Sequence, residues 1–180
     1  MRPDDFMIIA ITSSDLYPNE AARITELLDS GRVHYVHIRK PGWTLPQTSD
    51  LISRIPARLY PKLKLHDHFT LMERYHLRGV HLNSRNPLPP QNCSSISKSC
   101  HSLEELSDIE SYEYVTLSPV FDSISKTGYK AAFNHDELKK ELSGKRVVAL
   151  GGVTPDKFDY LKSLGFCGAA LLGYFFPVGK

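Results

Sequence analysis

Gly79-Val80-His81-Leu82-Asn83-Ser84 is a short apolar run that turns polar at its C-terminal end. A run of this length suits a strand buried on both faces, the kind that parallel sheets use. Working outward, the same pattern recurs at Leu63 to His66, Val33 to Arg39 and Met7 to Thr12 on one side, and at Ser95 to Cys100, Tyr114 to Leu117, Arg146 to Leu150 and Gly168 to Leu172 on the other. Helical segments lie between most of these runs, which is the sequence sign of βαβ units. Eight such strands are the number that closes a barrel. The reading is an α/β fold, a single compact (β/α)8 TIM barrel over residues 1–180. A doubly wound open sheet uses the same local signals.

Caps and periodicity place several of the helices. Asn19 is expected to cap a helix over Glu20 to Ser30, Asn134 one over Asp136 to Leu142, and Thr154-Pro155 opens one that ends near Gly165. Ser102 and Glu105 have the form of a capping box for a short helix through Ile109. The crossover after the fourth strand differs. Asn86-Pro87-Leu88-Pro89-Pro90 carries three prolines, which forbid a regular helix, so this crossover is expected to be extended. Few residues follow Gly173, so the last outer helix is expected to be a stub.

Composition narrows the partners. The chain has 180 residues, 41% of them hydrophobic, enough for one substantial core. Its 22 Lys and Arg against 20 Asp and Glu give a formal charge of +2, without the basic excess that nucleic-acid binding exploits. Cys93, Cys100 and Cys167 are odd in number and form no C-x-x-C pair, which suggests neither a disulfide framework nor a zinc knuckle and fits a reducing cytoplasm. The first residues carry two acids and run straight into a strand, unlike a secretion signal. No stretch is long and apolar enough to cross a bilayer, so a soluble protein without membrane or nucleic-acid partners is expected, with a homo-oligomer left open.

In a barrel, catalytic groups sit at the C-terminal strand ends and in the loops that follow. Those positions are polar here, and strand alternation points Tyr35, His37 and Arg39 inward while Val36 and Ile38 pack outward. The same argument turns His66, His81 and His101 toward the mouth, each with a hydrogen-bonded lining histidine as the plainer alternative. Arg39, pointing inward, needs an anionic partner or a wet cavity. Lys64 falls inward as well and is expected to reach solvent near the barrel bottom through its flexible stem. Gly151-Gly152 and Gly173 follow the last two strands, where barrels seat phosphate on bare backbone N–H groups; tight turns are the plainer alternative. Lys126 lies in a polar loop that can fold over a ligand and neutralise a phosphate oxygen. A transition-metal reading joins His66-x-His68 with Asp67 or His81, since imidazoles and a carboxylate suit zinc.

His-Ile-Arg-Lys (37–40), Leu-His-Asp-His (65–68), Gly-Val-His-Leu (79–82), Ser-Cys-His-Ser (99–102), Leu-Ser-Pro-Val-Phe-Asp-Ser-Ile-Ser-Lys (117–126) and Val-Ala-Leu-Gly-Gly-Val (148–153), in this order, resemble the thiamine phosphate synthase/TenI family. The resemblance implies the (β/α)8 barrel and a small phosphorylated thiazole or pyrimidine ligand. In the synthase branch a pyrimidine diphosphate ionises and a thiazole phosphate captures the cation, with Mg2+ on the leaving diphosphate. Asp67 is then the first metal ligand, but the second acidic position falls on Asn86, and the family's Gln, Asn and lysine correspond to His37, His66 and the displaced Lys40. The TenI branch needs no cofactor and moves a proton on a thiazole carboxylate phosphate, a task suited to histidine near neutral pH. Its usual histidine is replaced by Ser118-Pro119, which leaves the acid/base role to His66, His81 or His101. Ser99, Lys126 and Gly152 match phosphate-holding positions. On this basis a TenI-like thiazole tautomerase is expected, with a Mg2+-dependent synthase and a non-catalytic binder of thiamine precursors as the alternatives.

Overall fold

The structure, a computed structural model, describes residues 6–122 and 133–177. Its strands are β1 (Met7–Ile11), β2 (Tyr35–Ile38), β3 (Leu63–Leu65), β4 (Gly79–Leu82), β5 (Ile96–Cys100), β6 (Tyr114–Leu117), β7 (Val147–Ala149) and β8 (Gly168–Leu171). They close in sequence order into an eight-stranded barrel, the TIM-barrel fold expected from the recurring runs. The register is parallel throughout the resolved pairs, with Ile11 opposite His37, His37 opposite Lys64, Lys64 opposite Gly79, and Ser99 opposite Thr116. By contact density, residues within 9–96 and 172–180 form one compact unit and residues within 1–8 and 97–171 another.

In the unit that carries β2 to β4, three helices cover the strands: α1 (Glu20–Asp29), α2 (Leu45–Ser53) and α3 (Thr70–Tyr75). Asn19 does not cap α1 as expected. It adopts a left-handed conformation, φ 54°, and its side chain makes no capping bond. The helix is held instead by burial of Ile24, Leu27 and Leu28 and by Glu20, whose carboxylate lies 2.7 Å from Lys40 Nζ. The start of α2 carries a strong local signal. Thr44 and Gln47 form a capping box, with Gln47 Oε1 accepting from Thr44 N at 2.8 Å, and Pro46 occupies the first turn.

No helix joins β4 to β5. Asn83 and Asn86 pair their backbones in a small bridge, and the proline-rich chain beyond runs irregularly to Ser95. There the backbone closes on β4: Val80 N donates to Ser95 O at 3.1 Å, and a Cβ on Gly79 would collide with that same carbonyl. The expected final stub is a series of turns through Phe176, with no helix among the described residues after β8. Phe176 is fully buried edge-on to Tyr17, and Phe175 O accepts from Arg23 Nε at 3.3 Å.

The other unit contains β5 to β8, α4 (His135–Glu141) and α5 (Phe158–Leu164). Asn134 caps α4 as read, its side chain accepting from Asp136 N at 2.9 Å. A single turn over Pro155–Lys157 leads into α5, which ends at Gly165 with φ 98°. The Ser102/Glu105 capping box does not form. The segment makes only one tight turn, Glu104–Leu106, without a side-chain cap. Cys93, Cys100 and Cys167 are free thiols, and no described helix is long and apolar enough to cross a membrane.

Two glycines separate packing from mere position. Gly79→Ala is expected to lower unfolding free energy by about 2–3 kcal/mol, because a methyl cannot share space with the Ser95 backbone. Gly173→Ala, where a Cβ meets nothing within 4 Å, should stay within about 0.5 kcal/mol of the parent. Urea titrations of the two variants check both.

Candidate active site

Alternation along β2 turns His37 inward, and the ends of β3 and β4 bring His66 and His81 to it. His37 Nδ1 and His66 Nε2 share a hydrogen bond of 3.0 Å, and the His66 and His81 rings stack with centroids 4.4 Å apart. All three are buried, and burial is the main cause holding each imidazole below its ordinary pKa, with His81 lowered to about 3. The neighbouring charge of Lys64 pushes His37 and His81 in the same direction. Lys64 does not reach solvent as expected; it is fully buried within this cluster.

Ligand nitrogens of the three histidines lie within 4.8 Å of one another. Zinc holds imidazoles at about 2.0–2.1 Å. A shared ion would have to break the His37–His66 hydrogen bond and part the stacked rings, beside a lysine. The pairing of His66 with His68 expected for zinc is not formed. His68 has φ 54° and donates from Nε2 to Trp43 O at 2.6 Å.

One residue beyond His66 the chemistry changes from neutral to charged. Asp67 Oδ1 accepts from Arg85 Nη2 at 3.2 Å, from Arg85 Nε at 3.3 Å and from Asn86 Nδ2 at 3.1 Å. Asn86 Nδ2 also donates to His66 O at 2.9 Å, and Asn83 Nδ2 donates to the same carbonyl at 2.9 Å. Asn83 Oδ1 accepts from Arg85 N at 3.1 Å, which holds the loop after β4 in shape. Arg39 is half-buried nearby. Burial lowers the pKa of its guanidinium, repulsion from Arg85 adds to that, and attraction to Asp67 opposes it. Thr12 Oγ1 accepts from Arg39 N at 2.9 Å and so fixes its backbone.

This donor set does not fit Mg2+. The ion needs oxygen ligands, commonly one or two carboxylates completed by phosphate and water. Here the carboxylate of Asp67 already accepts from a guanidinium and an amide. Turning the Asn86 amide over would set its oxygen against both Asp67 Oδ1 and His66 O, so the amide stays a donor and offers no oxygen on that side.

Lys40 is not free to receive an anion. It is buried against Glu20, donates to Asp15 O at 2.9 Å and lies 4.5 Å from the Trp43 ring centre. Desolvation is the largest influence on both partners, raising the Glu20 pKa and lowering that of Lys40.

In the unit carrying β5 to β8, Ser99 is half-buried on β5, and His101 is exposed with Nδ1 donating to Ser118 O at 3.2 Å. Gly151 and Gly152 have φ 90° and 61°. A Cβ on Gly151 would approach Pro119 Cα to 2.8 Å, and one on Gly152 would collide with Asp122 O. Close packing on the 119–122 loop therefore accounts for both glycines without a ligand. Gly173 lies in open space, and Lys126 lies outside the described residues. Arg85 was missed in the sequence. The signal was its place in Asn83-Ser84-Arg85-Asn86, the loop just after a barrel strand.

Comparison with known proteins agrees with this architecture. A family profile described as thiamine monophosphate synthase matches residues 7–174. The thiamine-phosphate synthase of Pediococcus pentosaceus is 21% identical over 171 residues, 85% of this chain and 79% of that protein. A thiamine phosphate pyrophosphorylase from Bacteroides thetaiotaomicron superposes with a TM-score of 0.81 at 33% identity, over 93% of this chain and 83% of that one. One from Pyrococcus furiosus, at 19% identity and a TM-score of 0.76 over 95% and 87% of the two chains, shares the fold. The chain belongs to the thiamine monophosphate synthase family.

Proposed function

We propose that this protein is a thiamine phosphate synthase, joining hydroxymethylpyrimidine diphosphate to thiazole phosphate, rather than the TenI-like tautomerase expected from its histidines. The carrying observation is the state of those histidines. His66 and His81 are buried, hydrogen-bonded or stacked, and held neutral well below pH 7. A general acid/base works best with a pKa near the operating pH and must reach the proton it moves. Neither condition is met. His101 is exposed but engaged with Ser118. The synthase names of the similar proteins support the same choice.

In this reaction the bond between the pyrimidine methylene carbon and the diphosphate oxygen breaks, the electron pair leaves with the diphosphate, and the thiazole nitrogen captures the carbocation. The chief demand on the protein is stabilisation of negative charge on the departing group. Arg39 and Arg85 beside a single carboxylate, Asp67, meet that demand. The imidazoles of His37, His66 and His81 are buried and neutral and add no charge to this group. Ser99, Lys126 and Gly152 are proposed to hold phosphate oxygens, on the strength of the family resemblance alone.

Incubation of the purified protein with both substrates, with and without Mg2+, should yield thiamine phosphate detectable by oxidation to a fluorescent product. No product under either condition would sink the reading. Arg39→Ala is expected to lower kcat/KM by about a hundredfold or more, as for loss of a charge-stabilising donor.

The buried histidines also set a pH dependence of stability. His81 faces Lys64, His37 and His66, and its folded pKa of about 3 lies below the ordinary 6.5. Below pH 6.5 the unfolded chain takes up a proton that the native state refuses, so stability is full above pH 6.5 and falls as the pH drops toward 3. His81→Gln should make urea-unfolding free energy shallower over that range, by about 1.4 kcal/mol per pH unit. An unchanged slope would mean that His81 is accessible and protonates in the native state.

A further inference from the structure

A divalent cation beside Asp67 would do two things: neutralise carboxylate charge and present positive charge to a diphosphate. The loop after β4 already does both with its own side chains. Arg85 reaches Asp67 through two nitrogens, and its side chain remains 43% exposed, so the outer face of the guanidinium is open to a second anion. Asn86, where the family resemblance places a second acid, contributes an amide donor and no charge. A metal ion on two carboxylates sums to zero charge, and so does a guanidinium on one carboxylate beside a neutral amide. The half-buried guanidinium of Arg39 is added to this balanced group. Bringing Mg2+ to the same carboxylate would set a double positive charge against both arginines and displace hydrogen bonds of 3.1 to 3.3 Å.

We propose that Arg85 takes the place of the divalent cation, receiving diphosphate oxygens directly together with Arg39, so that diphosphate binding at this loop is independent of magnesium. The geometry suits the role. A guanidinium has five N–H donors in a fixed fork, enough to keep Asp67 on one edge and offer the other to phosphate oxygens. Asn83 Oδ1 and the Asn83–Asn86 backbone bridge hold the Arg85 backbone, so the fork is positioned before the ligand arrives. The inference rests on the diphosphate reading of the site proposed above, but it concerns binding rather than turnover.

The test is calorimetric titration of the full-length protein with inorganic pyrophosphate, once in EDTA and once in millimolar Mg2+. The expected dissociation constants agree to within about threefold. Arg85→Ala should weaken binding in EDTA by about tenfold or more, the usual scale for a lost charge-assisted hydrogen bond, with Arg85→Lys recovering only part of it. Thermal melts confirm that both variants fold. The double variant Arg85→Ala/Asn86→Asp should bind pyrophosphate only when Mg2+ is present, because it exchanges the internal cation for a second carboxylate. Parent binding that requires Mg2+, or that survives Arg85→Ala unchanged in EDTA, overturns the proposal, as does absence of binding in both buffers. Mg2+-dependent binding accompanied by thiamine phosphate formation would remove the Arg85 role and leave the synthase reading intact. Mg2+-independent, Arg85-dependent binding without product formation would do the reverse.

Discussion

The backbone carbonyl of His66 accepts from both Asn83 and Asn86, and much of the candidate site depends on that double acceptance. The carbonyl is fixed because the His66 ring is locked below it, bonded to His37 and stacked on His81, while its backbone N donates to Ile38 O as an extension of β3. A peptide held this firmly can brace the following loop. Two amides drawn to one oxygen set the turn from Asn83 to Asn86, and that turn presents Arg85 to Asp67. The buried neutral imidazoles thus act as a foundation for the charged groups of the candidate site.

Lys40 and Glu20 show the cost of burying charge. The pair is geometrically close, yet desolvation dominates the pKa of each partner, raising the acid and lowering the base. Pairs of this kind add little net stability but are strongly destabilising to break, since the survivor is a lone buried charge. Its contribution is positional. Lys40 ties the chain after β2 to α1 and to the carbonyl of Asp15, and it lies against the Trp43 ring just before α2 begins.

Most of the barrel could be read in the sequence because buried parallel strands write themselves as short apolar runs, and the runs at Gly79–Leu82 and Tyr114–Leu117 match the strands at both ends. Helix termini were less legible. Thr44 and Gln47 combine the residue types of a capping box with its geometry, whereas Asn19 carries the residue type in a left-handed conformation and Ser102 caps no helix, since a cap requires extended backbone dihedrals that composition does not encode. The inward direction of His37, His66 and His81 followed from alternation, but their depth did not. Alternation gives a face and is silent on how far below the mouth a residue sits, so Lys64 and the histidines looked accessible when they are sealed. The ion pairs of Lys40 with Glu20 and of Arg85 with Asp67 escape sequence reading for a related reason. Which cation meets an internal carboxylate is decided by long-range packing, and neither Glu20 nor Asp67 is near its partner in sequence.

The residues after β8 group with the unit built by residues 9–96, where Phe176 is buried against Tyr17, while Met7 pairs through its backbone N with Cys167 O in the other unit. Each unit therefore includes a strip of chain that is distant from it in sequence. On the ribosome, where segments appear in order, the earlier unit has every strand from β2 to β4 available long before it has the aromatic residues that finish it. That unit cannot acquire its full set of contacts until translation has passed Phe176. The early segments of that unit must therefore remain soluble in an unfinished state while the residues from 97 onward are made.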